Sequence, residues 1–394
     1  MAVLACPLNL SAVEWSGQLE VGVAGGSGER HWTDGGLSTA GRADGANAEL
    51  RFGFDHRAES GWAVHASGLA RDNGEAGREL GLLEAYLDLG SLAEDGWRLR
   101  IGQAFAGTSR ENIEAFWQSP YSLSLSALNA WIGEEFRPIG AEWTRRWPRD
   151  DGAAFDLAAA VYIGNDTGPA ALAWRGYATH HRLSVFGESL PLPRLPAFAA
   201  DGAFSMQRSD GTQPFGPDLD GRPGWSLRAR YDTGTGLRLS AYVTDNRGDQ
   251  DLHSGDEYAW ATRMALIGVD WQFADAWTFL AEVQRGDSLM GFPPGPHVDI
   301  RFDAAYLMLS QQRGPWTLSG RLEAFHVADR DGLARDLNLQ DGRALTLAAQ
   351  REFERWRLGV EWQSADIRRP GNRDAGFAVD QGGQRWQAML RRYF

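Results

Sequence analysis

A chain of 394 residues is long enough for two or three soluble domains or for one large barrel. Its 39 basic residues, all arginine, stand against 52 acidic ones, and the formal charge of −13 with pI ≈ 5.1 argues against a nucleic-acid partner. No run of about 18 apolar residues encodes a transmembrane helix, but a mean hydropathy of −0.39 with 17 tryptophans leaves a barrel open, because only every second residue of its strands meets lipid.

Residues 1–12, from Met1 through the single cysteine Cys6 to Ala12, read as the remnant of an export signal. The stretch is apolar and ends in small residues, but no positive segment precedes it, so the full signal is expected to begin further upstream. Val3-Leu4-Ala5-Cys6 also resembles a lipoprotein cleavage box, with too few residues before it to work as one. Without Cys6 the chain has no thiol, which excludes disulfides and thiolate metal sites and suits an oxidising compartment.

From residue 13 onward, segments of about ten residues with period-two alternation recur. Strands are expected near 13–23, 46–55, 62–71, 81–89, 97–106, 138–147, 153–163, 224–232, 236–245, 258–273, 277–286, 300–312, 316–326, 343–352, 355–366 and 385–394. Trp277-Thr278-Phe279-Leu280-Ala281-Glu282-Val283-Gln284 shows the pattern: Trp277, Phe279, Ala281 and Val283 share one face, and Thr278, Glu282 and Gln284 the other. Connections alternate between short turns, such as Ala274-Asp275-Ala276 and Arg313-Gly314-Pro315, and long loops near 25–44, 107–137, 164–223, 245–257, 286–299, 328–342 and 367–383. Short turns on one rim and long loops on the other predict an all-β fold: a transmembrane antiparallel barrel of about sixteen strands. Ala178–Phe186 would raise the count to eighteen if it paired with a partner before Gly224, whereas the prolines at 191, 193, 196, 214, 217 and 223 favour one long extracellular loop.

Tryptophan follows the short turns at Trp62, Trp97, Trp277, Trp316 and Trp356, and Phe394 ends the last strand. These positions predict an interfacial girdle, where indole buries its ring and keeps its N–H wet. The alternative is the aromatic core of a soluble barrel.

The loop at 107–137 carries Phe116, Trp117, Tyr121 and Trp131 and is too apolar to wave in water, so it is expected to fold into the lumen. Its charged residues Arg110, Glu111, Glu114, Glu134 and Glu135, with Arg137 and Glu142 at its exit, are then candidates to line a constriction opposite the wall arginines Arg98 and Arg100. Wall charges of both signs are expected elsewhere too, among them Glu49, Arg51, Glu282, Arg301, Asp303, Arg321, Arg385 and Arg391. They fit a transverse field across a pore, and equally a wall of cross-strand ion pairs.

The terminal segment Arg385–Phe394 resembles the closing strand of bacterial outer-membrane barrels of the porin kind, which commonly ends in Phe and helps the assembly machinery recognise the chain. Arg100–Phe105 and Arg137–Trp143 resemble the matching part of phosphate-selective-type porins. The resemblance implies a Gram-negative outer-membrane channel for small hydrophilic solutes. Its partners would be outer-membrane lipid, lipopolysaccharide and the barrel-assembly machinery, with homotrimers a further implication. It transfers no solute, since those porins guide anions along lysine and arginine rows and lysine is absent here.

No cofactor, catalytic set or metal site is expected. His180-His181 lacks a third ligand, and Asp245–Asp251 is rich in oxygen ligands without calcium-loop spacing or the terminal Glu. Two other classes stay open at this point: a barrel enzyme of the lipase or protease type, and a secreted β-protein that binds glycans through its tryptophans.

Overall fold

The computed structural model describes residues 13–394 except 35, 37, 40–44, 73–77, 208–210, 216–217 and 334–337. The expected signal remnant at 1–12, with Cys6, lies outside the described residues.

Alternation becomes pairing along the whole chain. The first nine strands are β1 Val13–Gly26, β2 Gly45–Arg57, β3 Trp62–Asp72, β4 Leu80–Leu89, β5 Trp97–Gln103, β6 Ile139–Pro148, β7 Ala154–Ile163, β8 Gly224–Asp232 and β9 Leu237–Asp245. A two-residue hairpin, β10 His253–Ser254 and β11 Glu257–Tyr258, stands apart from the sheet. The rest are β12 Ala261–Ala274, β13 Trp277–Gly291, β14 His297–Arg313, β15 Trp316–Asp329, β16 Gln340–Phe353, β17 Trp356–Arg368 and β18 Asp380–Tyr393. With the hairpin set aside, sixteen strands form one closed antiparallel barrel, as the alternation predicts. Closure joins β1 to β18: Gly17 and Phe394 each donate a backbone N–H to the other's carbonyl at 3.0 Å. A closed barrel leaves no unpaired edge.

The two faces differ in chemistry. On β17, Leu358 and Val360 point outward at 42% and 49% exposure, while Glu361 and Gln363 point inward and are buried. The outer face near the short-turn rim carries Trp62, Trp97, Trp277, Trp316, Trp356 and Phe394, joined there by Trp15, Trp147, Trp271, Phe273 and Phe353. Arg351 lies over the Trp316 ring and Arg392 over Trp356, at 5.4 and 5.3 Å.

Ala178–Phe186 forms no strand, as the prolines around it favour; it bonds to the connection 104–138, with the Leu125 N–H on the His180 carbonyl and the Ser184 N–H on that of Gly133. Its alternation reflects burial, not pairing. The structure departs from the sequence expectation in three places. The loop expected at 286–299 shrinks to 292–296, because β13 and β14 continue past their apolar stretch on cross-strand charge pairs. Arg301 and Asp303 therefore face outward, Arg301 toward Asp287 at 3.4 Å and Asp303 toward Arg285 at 2.5 Å. Finally, residues 258–260 belong to the hairpin and its link and not to the barrel strand, which starts at Ala261.

The core lies in the lumen. Long-loop residues such as Trp131, Trp174, Phe204 and Trp260 pack with wall residues such as Phe302 and Phe325 into one buried cluster. Among the described residues, no helix is long and apolar enough to cross a membrane.

Candidate functional site in the barrel lumen

The connection from β5 to β6, residues 104–138, builds itself around serine turns. Ser109 Oγ accepts the N–H groups of Glu111 and Asn112, and Ser119 Oγ those of Tyr121 and Ser122. Ser126 caps helix α1, Ala127–Glu135, by accepting the Asn129 N–H at 3.3 Å. Phe116 and Trp117 both sit at positive φ, 58° and 56°, in a conformation that non-glycine residues rarely adopt. The Trp117 ring is held by a parallel stack on Phe105 at 4.6 Å.

Wall carboxylates and wall arginines hold this segment by its backbone. Glu282 of β13 accepts from the Arg110 N–H, Asn129 Nδ2 and the Tyr306 hydroxyl. Glu323 of β15 takes the Ala127 N–H at 2.7 Å, at the positive end of α1. Glu361 of β17 takes those of Leu123 and Ser124. Arg321 of β15 reaches Glu111 at 2.5 Å, the carbonyls of Ser124 and Leu125, and Glu323 at 2.8 Å. The opposite wall also makes contact, since Arg228 and Arg230 of β8 both donate to the Gly107 carbonyl. The segment thus touches inward-facing groups on both sides of the barrel.

The connection from β7 to β8 interlocks with it. The first N–H groups of helix α2, Ala170–Arg175, fall on the Glu135 carboxylate, Ala171 and Leu172 both at 2.8 Å. Burial pushes the Glu135 carboxyl up to about 7, against the pull of those two N–H groups. Glu134 faces Arg175 at 2.6 Å and His180 at 2.8 Å. Burial would raise its pKa, but the Arg175 guanidinium and the hydrogen bond with His180 outweigh burial and leave it below the ordinary value. Arg137 donates to the carbonyls of Ser184, Leu83 and Gly133 and lies 3.8 Å over the Phe105 ring.

Of the residues expected at a constriction, Glu111, Glu134, Glu135 and Arg137 are packed between loop and wall at 0–2% exposure. A carboxylate inside a packed loop needs donors on every side, so the loop absorbs its own acids. Arg110 is also buried, with its Nε on its neighbour's carbonyl. Glu114 stays partly open, paired with Arg357 at 2.6 and 2.7 Å. Arg98, Arg100 and Glu142 are brought together, but low on β5 and β6 beside Asp88 and Arg228.

Open space lies on both flanks of the loop. A cavity of 310 Å³ runs along the inner wall of β1, β2, β3 and β18, lined by Glu20, Asn47, Glu49, Arg71 and Arg385, with His181 from the second loop. It shares Glu20, Leu123 and His181 with a narrower space of 20 Å³ between Arg51, Arg391, Ser119 and Ser122. Glu20 pairs with Arg391 at 2.7 Å, and Glu49 pairs with Arg51. Sequence reasoning placed Glu49, Arg51, Arg385 and Arg391 on the inner wall but missed Glu20, Arg71 and His181. The alternation of β1 and β3 carried the signal for the first two. On the other flank, cavities of 70 and 130 Å³ lie against β5–β8.

Among the described residues, one carboxylate group, Asp166, Asp218 and Asp220, has ligand atoms within 4.8 Å of one another. Burial pushes Asp166 up to about 6, and the other two carboxylates add to the rise. The oxygen-rich stretch Asp245–Asp251 does not converge on a point: Asp249 pairs with Arg222, and Asn246 bonds the Trp260 carbonyl.

No protein-family model matches the chain, and no curated protein does. Among solved structures it is similar to the outer membrane channel DcaP of Acinetobacter baumannii, at 12% identity and TM-score 0.55, with 97% of each chain covered. It is also similar to in-vitro folded OmpT, an outer membrane protein of Vibrio cholerae, at 9% identity and TM-score 0.52, covering 99% of this chain and 100% of that one. The trimer form of OmpT gives 9% identity and TM-score 0.51, over 97% and 99%. What is shared at these identities is the fold: the chain has the closed, porin-like antiparallel β-barrel of outer-membrane channels.

Proposed function

We propose that the chain is a bacterial outer-membrane channel for passive diffusion of small hydrophilic solutes or ions. The observation that carries this reading is the inversion of the two barrel faces: exposed aliphatic and aromatic side chains outside, and charged groups around open space inside. Lipid solvates the first face and water the second. The similarity to a solved outer membrane channel supports it. In this reading the long loops are extracellular, and the aromatic ring Trp62, Trp97, Trp277, Trp316, Trp356 and Phe394 marks the periplasmic interface. The outward charges of β12–β14, such as Arg263 and Asp287, meet lipopolysaccharide. Phe394, which follows β18, is the residue offered to the assembly machinery.

The constriction is the gap between loop 104–138 and the β1–β3/β18 wall, with Glu20, Arg51, Glu114 and Arg391 at its narrowest level. Strands β4–β9 run 7–10 residues against 13–17 for β12–β18, which favours a low wall covered by copies of the same chain in a homotrimer. We assign no enzymatic step to the lumen.

The test is a planar bilayer. Purified, refolded barrel should give discrete conductance steps, with a reversal potential in a salt gradient that reports ion preference. Correctly folded protein that gives no steps would refute the channel reading.

A further inference from the structure

Three chain segments meet at the long-loop ends of β7, β8 and β9. Asp166 follows β7, Asp218 and Asp220 precede β8, and Asp249 lies in the connection after β9. Backbone N–H groups fix the carboxylates. Asp166 Oδ2 accepts from Leu219 at 2.6 Å and Asp218 Oδ1 from Gly221 at 2.8 Å. Asp220 accepts from Arg222 at 2.7 Å and from Asp249 at 2.6 Å. One oxygen from each of Asp166, Asp218 and Asp220 then lies within 4.8 Å of the others.

This convergence is uncompensated. Among the described residues, no arginine or histidine is ion-paired with any of the three, and the neighbouring Arg222 turns to Asp249 at 2.6 Å. Asp166 is only 2% exposed, and its Oδ1 is buried without a donor. Like charges this close repel, and a buried carboxylate oxygen with no donor costs free energy. A cation removes both penalties. The donor set is oxygen alone, which selects a hard ion. Calcium takes oxygens at about 2.3–2.6 Å, so ligands on opposite sides of one ion stand up to about 5 Å apart. Oxygens within 4.8 Å of one another can all reach it. Magnesium, at about 2.0–2.1 Å, spans only about 4 Å.

We infer that Asp166, Asp218 and Asp220 form a calcium site, with water completing the shell. The ion ties together the two ends of the 164–223 connection. Through the Asp249 N–H on Asp220 it also steadies the connection after β9. A connection gathered at its base keeps its inner part packed on Glu135 and Arg137. The site stands whether or not the barrel conducts.

The test is calorimetry on refolded barrel in detergent, free of lipopolysaccharide. Calcium chloride is titrated to about 10 mM, tenfold above the weakest dissociation constants of extracellular calcium modules. Wild-type protein should bind a single ion, and more tightly than magnesium in a parallel titration. Asp166→Asn and Asp218→Asn each keep an acceptor oxygen and lose a charge, and each should weaken binding by at least about tenfold. The exposed Asp366→Asn should not. Variants are first checked for the folded-barrel gel shift. If neither site variant folds, wild type decides alone: a chelator should lower the temperature at which the gel shift is lost, and added calcium should restore it. Absence of calcium binding in wild type overturns the site and leaves a proton shared among the carboxylates as what satisfies Asp166. Binding unchanged in both site variants, or a gel-shift temperature indifferent to chelator, also overturns it, and magnesium bound as tightly overturns the choice of calcium.

Discussion

Arg321 should control whether loop 104–138 stays docked. Replacing it with Met keeps much of the side-chain volume and removes every donor. Glu111, at 0% exposure, would lose its cation and keep Ser126 and Asn129 as donors; Glu323 would keep only the Ala127 N–H. Stripping one partner from a buried pair costs about 3–5 kcal/mol, and the surviving donors put this case at about 3. Ser124 keeps its bond from the Ser122 hydroxyl, whereas the Leu125 carbonyl is left bare, which adds about 1 kcal/mol. The total of about 4 kcal/mol lowers the ratio of docked to undocked loop by roughly a thousandfold. In single-channel recordings, Arg321→Met should therefore show frequent excursions to a higher conductance that wild type lacks, together with a lower temperature for loss of the folded-barrel gel shift. Arg321→Lys, which keeps charge but not the fork, should fall between. Adding Glu111→Gln to Arg321→Met should recover part of the loss. If the conductance histogram and the gel-shift temperature of Arg321→Met match wild type, the loop is not held by this network and the reasoning fails.

Unboiled protein in detergent should migrate differently from boiled protein on a gel, and equal migration would speak against a closed barrel. On the outer face, Leu347→Arg should cost about 2–4 kcal/mol if the site lies near the bilayer midplane, read as reduced assembly into membranes; an equal yield would contradict the assignment of this face to lipid. Glu114→Gln should shift selectivity toward anions because its carboxylate is partly open, whereas Glu111→Gln should act on stability alone; identical reversal potentials for both would remove Glu114 from the constriction. Burial lowers His181 from 6.5 to about 4, opposed by Glu20 and Glu49 and assisted by Arg385 and His180. The folded chain thus refuses a proton that the unfolded chain accepts below 6.5, so this contribution is full above that pH and is lost as pH falls toward 4, by at most about 3 kcal/mol. His181→Gln should flatten that part of the acid dependence of thermal stability, and an unchanged slope would show that another group titrates there.

Strand number and order were legible because each turn of the pattern repeats two local signals, alternation and a short aromatic-flanked turn. Facing was legible only where apolar neighbours set the parity. Arg301 and Asp303 were misplaced because charge was read as a mark of the lumen, although Leu307 and Leu309 on the same face of β14 point outward. Beyond the apolar band the outer face carries cross-strand ion pairs, so charge alone does not mark the lumen side. Helix α1 left no trace, since Ala127, Leu128, Trp131 and Ile132 are buried along with every other residue of the helix, and no amphipathic stripe results. The fate of Glu111 was equally hidden. Its partner Arg321 lies on a strand far along the chain, and only closure of the barrel brings the two together. Among the described residues of 164–223 no barrel strand forms, as the prolines suggested, but they said nothing about the segment folding back onto Glu135 and Arg137.

The seam between β1 and β18 sets an order of events. The reciprocal Gly17–Phe394 pair and the register above it join the two ends of the sheet, the most widely separated contacts the fold contains. Neighbouring hairpins can form from local chain, but this ladder must wait for β18, and among the described pairings it spans the greatest separation in sequence. Until then the growing sheet presents two bare edges and an aliphatic face, the combination most prone to aggregate. The time before sealing is therefore the hazardous interval for this barrel, and it ends only when β18 docks against β1.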